Sequence, residues 1–383
     1  MDIITRELSQ IIQKTSDDDK VVIILGPRQS GKTTLLKSLF EHSDKKVLWF
    51  NGDDTDVRQK FEDPSYAKIK NYIGDAEVVI FDEAQRILNI GLCMKIITDN
   101  FQGVKVYASG SSAFELANKI NEPLTGRKWE YILFPISFSE MVKHHGQFEE
   151  EKLIDHRLIY GYYPDVINSP GNEKEILKAL AGSYLYKDIL TWERIMKPDR
   201  LEKLVQALAF QIGNEVSYHE LGKISGLDNK TVEKYLILLE RAFIVFRLNS
   251  FSRNLRNELT KSRKVYFYDN GIRNAIINSF KPVELRTDSG ALWENFLVSE
   301  RAKWLANHQY YANRYFWRTT QQQEIDYLEE KDGVLSAFEF KWNASAGASF
   351  PKTFLNAYTN AETAVITPDN YLRFIVPDLR QGS

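Results

Sequence analysis

Residues 26–33 read GPRQSGKT and follow the apolar run VVIIL at 21–25. Gly26 and Gly31 let the backbone curl so that successive N–H groups face one point, and the segment TTLLKSLF beyond supplies a helix whose N-terminus adds partial positive charge there. Such a strand, loop and helix hold phosphates. In this reading Gly26, Pro27, Arg28, Gln29, Ser30, Gly31, Lys32, Thr33 and Thr34 surround ATP. Lys32 reaches its β- and γ-phosphates and the Thr33 hydroxyl ligates Mg²⁺.

Working outward, residues 78–83 read VVIFDE. Asp82, at the end of a fully apolar strand, is expected to hold Mg²⁺ through water, and Glu83 to orient and deprotonate the attacking water. KVLWFN at 46–51 lies between the two motifs as an extra strand, which points to ATPases that activate water through a glutamate rather than to simple kinases. With VKVYASG at 104–110 and WEYILF at 129–134, five apolar runs alternate with amphipathic stretches, which predicts a parallel α/β sheet. Ser109 and Ser111 come to a strand end, where a hydroxyl senses the γ-phosphate or holds the lytic water, or else belongs to an ordinary turn. Arg127 precedes the fifth strand. It is either an arginine finger for a neighbouring subunit's nucleotide, which would make the protein a homo-oligomer, or an exposed surface arginine.

At 383 residues, with 43% hydrophobic content, the chain has room for roughly two to three domains of ~100–200 residues, each with a core of its own. Its 50 basic and 52 acidic residues leave a net charge of -2, so any nucleic-acid contact must come from local patches. A single cysteine, Cys93, excludes an internal disulfide and fits a reducing, cytoplasmic setting. The N-terminal twenty residues carry no apolar signal region and no later run approaches ~18 apolar residues, so neither export nor a membrane partner is expected. The six histidines show no ligand spacing.

Beyond the core at 1–138 the pattern changes three times. Residues 139–198 read as an all-helical lid or connector, rich in tyrosine. Residues 199–284 run helix (LEKLVQALAFQIG), helix-turn-helix (YHELGKISGLDNKTVEKYLILLERA), then two apolar strands around a basic arm, an order that suggests a winged helix. Lys230 and Lys234 on the second of those helices, and Arg253, Arg256, Lys261, Arg263 and Lys264 in the arm, either contact DNA phosphates or form a solvated or protein-docking surface. Residues 285–383 read helix, strand, strand, strand, helix, strand.

In that last segment Glu294 lies in the helix GALWENFLVSE, Asp326 in EIDYL, and Glu339 and Lys341 in SAFEFKW, the order of PD-(D/E)xK nucleases. Period-two geometry puts Glu339 and Lys341 on one face. A Mg²⁺ held by Asp326, Glu339 and the Phe340 carbonyl, with Glu294 as a further acid, would then sit beside Lys341, which helps position water. Glu324 shares the face of Asp326 as a further ligand or a surface charge. The other reading is a degenerate module that only binds.

The set GPRQSGKTT, IFDEAQ, SGSS, LTGR followed by FPISFSEM, GYYP, SYLYKDI, GALWENFLVSE, YFWR, EIDYL and FEFKW covers nearly the whole chain. It resembles prokaryotic AAA-type ATPases that carry a C-terminal endonuclease-like domain. The resemblance implies an AAA-type P-loop core, a winged helix and a restriction-endonuclease-like αβββαβ domain. The expected function is an ATP-hydrolysing, DNA-associated protein whose nucleotide state controls the nuclease-like module. The alternative is an ATP-dependent switch or scaffold whose C-terminal fold binds a partner or nucleic acid.

Overall fold

A computed structural model describes residues 3–377 apart from 16–17, 112–115, 117–118, 121, 185–197, 253–261, 346 and 348. Contacts divide the chain into two compact units, residues 1–136 with 241–243, and residues 137–240 with 244–383.

The first unit begins with α1 (Glu7–Lys14), β1 (Val21–Leu25), α2 (Lys32–Phe40), β2 (Val47–Asn51), α3 (Thr55–Lys60) and α4 (Tyr66–Ile73). It continues through β3 (Val78–Asp82), α5 (Ile90–Asn100), β4 (Lys105–Gly110) and β5 (Lys128–Ile132). The five strands read in the sequence all form, and they pair in parallel in the order β2-β3-β4-β1-β5. VVIIL and VVIFD are buried at every position, as strands covered on both faces must be. One face packs on α1 and α2 through Leu8, Ile12, Val22, Ile24, Leu35 and Ile80. Elsewhere in the core the Phe61 ring meets Phe50 and Phe81 at centroid distances of 4.9 and 5.2 Å. Because β1 lies between β4 and β5, the loop that leaves it emerges at the carboxyl edge of the sheet, where open α/β sheets bind ligands.

The second unit opens with helices, as expected: α6 (Phe138–His145), α7 (Gln147–Lys152), α8 (Ile154–Tyr160), α9 (Pro164–Ile167) and α10 (Glu173–Ala179). Ser137 and Glu140 form a capping box that starts α6, which accounts for part of the motif FPISFSEM. GYYP also has a structural use. Tyr162 donates its backbone N–H to Asp269 Oδ2 at 2.6 Å and its hydroxyl to the buried Glu150 at 2.7 Å. Of SYLYKDI, residues 185–189 lie outside the described residues.

There follow α11 (Pro198–Phe210), β6 (Glu215–Val216), α12 (Tyr218–Ser225), α13 (Asn229–Arg241), β7 (Val245–Ser250), β8 (Arg263–Phe267) and α14 (Asn270–Ile276). Arg253, Arg256 and Lys261 of the basic arm lie outside the described residues. The last segment has the order read from the sequence: α15 (Ser289–Asn307), β9 (Asn313–Arg318), β10 (Glu324–Lys331), β11 (Val334–Phe340), α16 (Lys352–Ala357) and β12 (Glu362–Ile366). A short helix, α17 (Leu372–Ile375), ends it. The strands on the two sides of residue 285 are not separate sheets. β7 pairs in parallel with β9 through Asn249–Tyr315 and Ser250–Phe316, which makes one seven-stranded sheet, β12-β11-β10-β9-β7-β8-β6. α15 is buried nearly all round, from Leu292 to Leu305, as a helix enclosed by its own unit should be. Among the described residues no helix is long and apolar enough to cross a membrane.

Candidate functional site

The phosphate loop is shaped by two glycines. A Cβ on Gly26 would collide with the Leu133 carbonyl oxygen, and Gly31 takes a φ of 93°, which a side chain disfavours, as α2 begins. Lys32 is buried, and its ammonium donates to the loop's own carbonyls, Gly26 at 2.9 Å and Pro27 at 2.8 Å. Ser30 Oγ is buried with no hydrogen-bond partner among the described residues. A cationic donor satisfied by backbone oxygens and an orphaned hydroxyl within one narrow loop suit an incoming polyphosphate. Arg28 is half-buried, while Gln29 and Thr34 are exposed.

Beside this loop stands a chain of hydrogen bonds. Thr33 Oγ1 donates to Asp82 Oδ2 at 2.8 Å, Ser109 Oγ donates to Asp82 Oδ1, and the Glu83 N–H donates to Ser109 Oγ at 3.2 Å. The register explains it: Ile24 lies against Ser109 and Leu25 against Gly110, so the ends of β1 and β4 meet where β3 also stops. A threonine hydroxyl and a carboxylate at hydrogen-bond distance are a donor set that fits a hard divalent cation.

Two residues that the sequence reading left out join the site. Gln85 is buried, and its Nε2 donates to Glu83 Oε2 at 2.6 Å and to Ser111 Oγ at 3.2 Å. Arg6 donates from Nη1 to the Ser30 carbonyl at 2.8 Å and from Nη2 to the Phe134 carbonyl at 2.6 Å, tying the phosphate loop to the chain beyond β5. Gln85 stands within IFDEAQ and Arg6 at the start of an amphipathic helix, yet neither position advertises its partners. Arg127 is about half exposed and pairs with Asp99 of its own chain at 2.9 Å.

In the second unit the structure brings the C-terminal acids together around a lysine. Lys264 on β8, read as part of a basic arm, points inward. Its Nζ lies 3.0 Å from Glu294 Oε1, 2.6 Å from Glu324 Oε1 and 3.8 Å from Asp326 Oδ1, and the side chain is 1% exposed. Tyr266 donates its hydroxyl to Glu294 at 2.6 Å. Asp326 Oδ2 accepts the Phe340 N–H at 2.8 Å, and Lys341, one residue past β11, holds Glu339 at 3.2 Å. So the same-face placement of Glu339 and Lys341 holds. Beside the expected Mg²⁺ ligands Asp326 and Glu339, whose carboxylates adjoin each other, a lysine stands among Glu294, Glu324 and Asp326; among the described residues no group of three or more His, Cys, Asp or Glu is arranged to hold a metal ion. Burial raises the Glu294 carboxyl; the Lys264 ammonium opposes this, but with Asp326 also pushing upward it ends at about 7. Glu339 is likewise pushed up to about 7 by burial and by Asp326, against the pull of Lys341.

Three family models match successive parts of the chain. Residues 18–142 match the family described as AAA domain, residues 151–282 a domain of unknown function (DUF8612), and residues 289–374 a domain of unknown function (DUF4143). A protein of Mycobacterium tuberculosis described as uncharacterized is 24% identical over 334 residues, 86% of this chain and 72% of that one. One of Haemophilus influenzae, described the same way, is 26% identical over 303 residues, 72% of this chain and 74% of that one. Among solved structures, the Walker-type ATPase of Pyrococcus abyssi superposes with a TM-score of 0.51 at 15% identity, covering 72% of this chain and 96% of that one, which speaks for fold alone. The chain therefore carries an AAA-type P-loop ATPase domain followed by a DUF4143 domain.

Proposed function

We propose that this protein binds ATP with Mg²⁺ in the loop from Gly26 to Thr34 and hydrolyses it, and that its nucleotide state controls the C-terminal module of a DNA-associated, cytoplasmic protein. The observation that carries the hydrolytic part is the hydrogen-bonded chain of Thr33, Asp82, Ser109 and Glu83 beside a phosphate loop. When bound, Mg²⁺ would neutralise charge on the β- and γ-phosphates, with Thr33 and Asp82 as the residues that hold it. Lys32 exchanges the Gly26 and Pro27 carbonyls for phosphate oxygens, while the N–H groups of residues 27–34 other than Pro27 face the same oxygens. Glu83, held by Gln85, takes a proton from the attacking water as its oxygen bonds the γ-phosphorus and the bond to the β–γ bridging oxygen breaks, releasing ADP and phosphate. Ser109, against both Asp82 and Glu83, is placed to register whether the γ-phosphate is present. Arg127 serves the nucleotide of a neighbouring subunit once it leaves Asp99.

Support for DNA contact comes from α12 and α13, where Lys223, Lys230 and Lys234 are exposed. On α13, Glu240 is paired with Arg247 at 2.5 Å. With β7 and β8 following, the segment suits a winged helix, and the order α15-β9-β10-β11-α16-β12 suits a restriction-endonuclease-like module. For that module the switch reading, recognition of a partner or nucleic acid without cutting, is favoured by one observation, the Lys264 ammonium among the carboxylates.

The test is phosphate release by the full chain with Mg²⁺, alone and with double-stranded DNA, single-stranded DNA or RNA. Turnover that rises with DNA and vanishes in Lys32→Ala is expected. A Lys32→Ala variant with wild-type turnover contradicts the assignment of the site, and turnover indifferent to every nucleic acid contradicts the DNA association.

A further inference from the structure

We infer that Lys264 is the resident cation of the C-terminal carboxylate cluster, standing where the residue order alone would call for a divalent metal. This deepens the recognition reading of that module and does not depend on ATP hydrolysis in the other unit. The argument begins from burial: an ammonium that is 1% exposed must be compensated, and Glu294 and Glu324 approach it at 3.0 and 2.6 Å with Asp326 at 3.8 Å. Other donors reach the same acids. Tyr266 donates to Glu294, the Phe340 amide to Asp326, and Lys341 holds Glu339. A divalent cation entering the same carboxylates would meet a fixed positive charge at contact distance in a medium that screens poorly. It could bind only by expelling a side chain that comes from the interior of a paired strand, β8.

The experiment measures Mn²⁺ bound per full chain, without nucleotide, as the part lost on Asp326→Asn, alongside cleavage of DNA and RNA in Mn²⁺. The wild type is expected to show no such binding, and Lys264→Met is expected to gain about one Mn²⁺ per chain, since it frees carboxylates of suitable chemistry. Asp326-dependent Mn²⁺ binding by the wild type overturns the inference, and if cleavage accompanies it the recognition reading falls as well. A folded Lys264→Met that gains no Asp326-dependent Mn²⁺ overturns the inference alone. If Lys264→Met does not fold, Lys264→Met with Glu294→Gln removes the ammonium together with an acid it neutralises: recovered folding supports the pairing, and failure to recover overturns it.

Discussion

At Glu83 the backbone takes a φ of 50°, a left-handed conformation that a side-chain-bearing residue enters at some cost, and the carboxylate so presented accepts from Gln85 Nε2 at 2.6 Å. The strain is offset by the bond that fixes it, and the result is a carboxylate whose direction is fixed by its own chain. A hydrogen bond to a charged group contributes about 1.5–3 kcal/mol, so Gln85→Ala should lower kcat by about tenfold to a hundredfold with little change in KM for ATP. A steady-state phosphate-release assay in which kcat is unchanged would remove Gln85 from the site. Residues of this kind were the hardest to read in the sequence. Gln85 matters because a turn brings its amide back over Glu83. Lys264 looks like one more charge in a basic run until the fold supplies Glu294, 30 residues further on. Lys32, Thr33, Asp82 and Glu83 were legible because their neighbours in the chain set their geometry.

Among the elements, the five strands of the first unit were legible for the same local reason: each is an apolar run closed by a motif or a turn. The joining of β7 to β9 was not, since it rests on two residue pairs between strands separated by a strand and two helices and carries no periodicity of its own. The start of α15 offers a separate test of how elements are held. Asp288 is paired with Arg273 at 2.6 Å and Arg286 at 2.8 Å. Burial pushes its carboxyl up, but the hydrogen bonds from Arg286 and Arg273 outweigh that and hold it at about 2, below the usual 3.8. The stabilisation is therefore complete above pH 4 or so and lost as pH falls through about 2. Asp288→Asn should lower Tm at pH 7 and cost progressively less as the pH approaches 2, which thermal unfolding followed by circular dichroism will read. An equal loss of Tm at both pH values would count against the ion pairs as the cause.

For the whole molecule, a net charge of -2 and three successive family matches describe a protein assembled from parts. The order of helices and strands in each part could be read from periodicity. What the third part does could not, because its acids meet a lysine contributed by the second. The central claim concerns the first unit: that its phosphate loop hydrolyses ATP through Glu83. The most direct measurement is ATP binding and phosphate release by the full chain in Mg²⁺, wild type beside Glu83→Gln. The account predicts turnover by the wild type, and in Glu83→Gln an unchanged affinity for ATP with kcat lower by about 10²–10⁴-fold, the usual contribution of a general base. Wild-type turnover in Glu83→Gln, or a wild type that binds ATP and releases no phosphate, would contradict it.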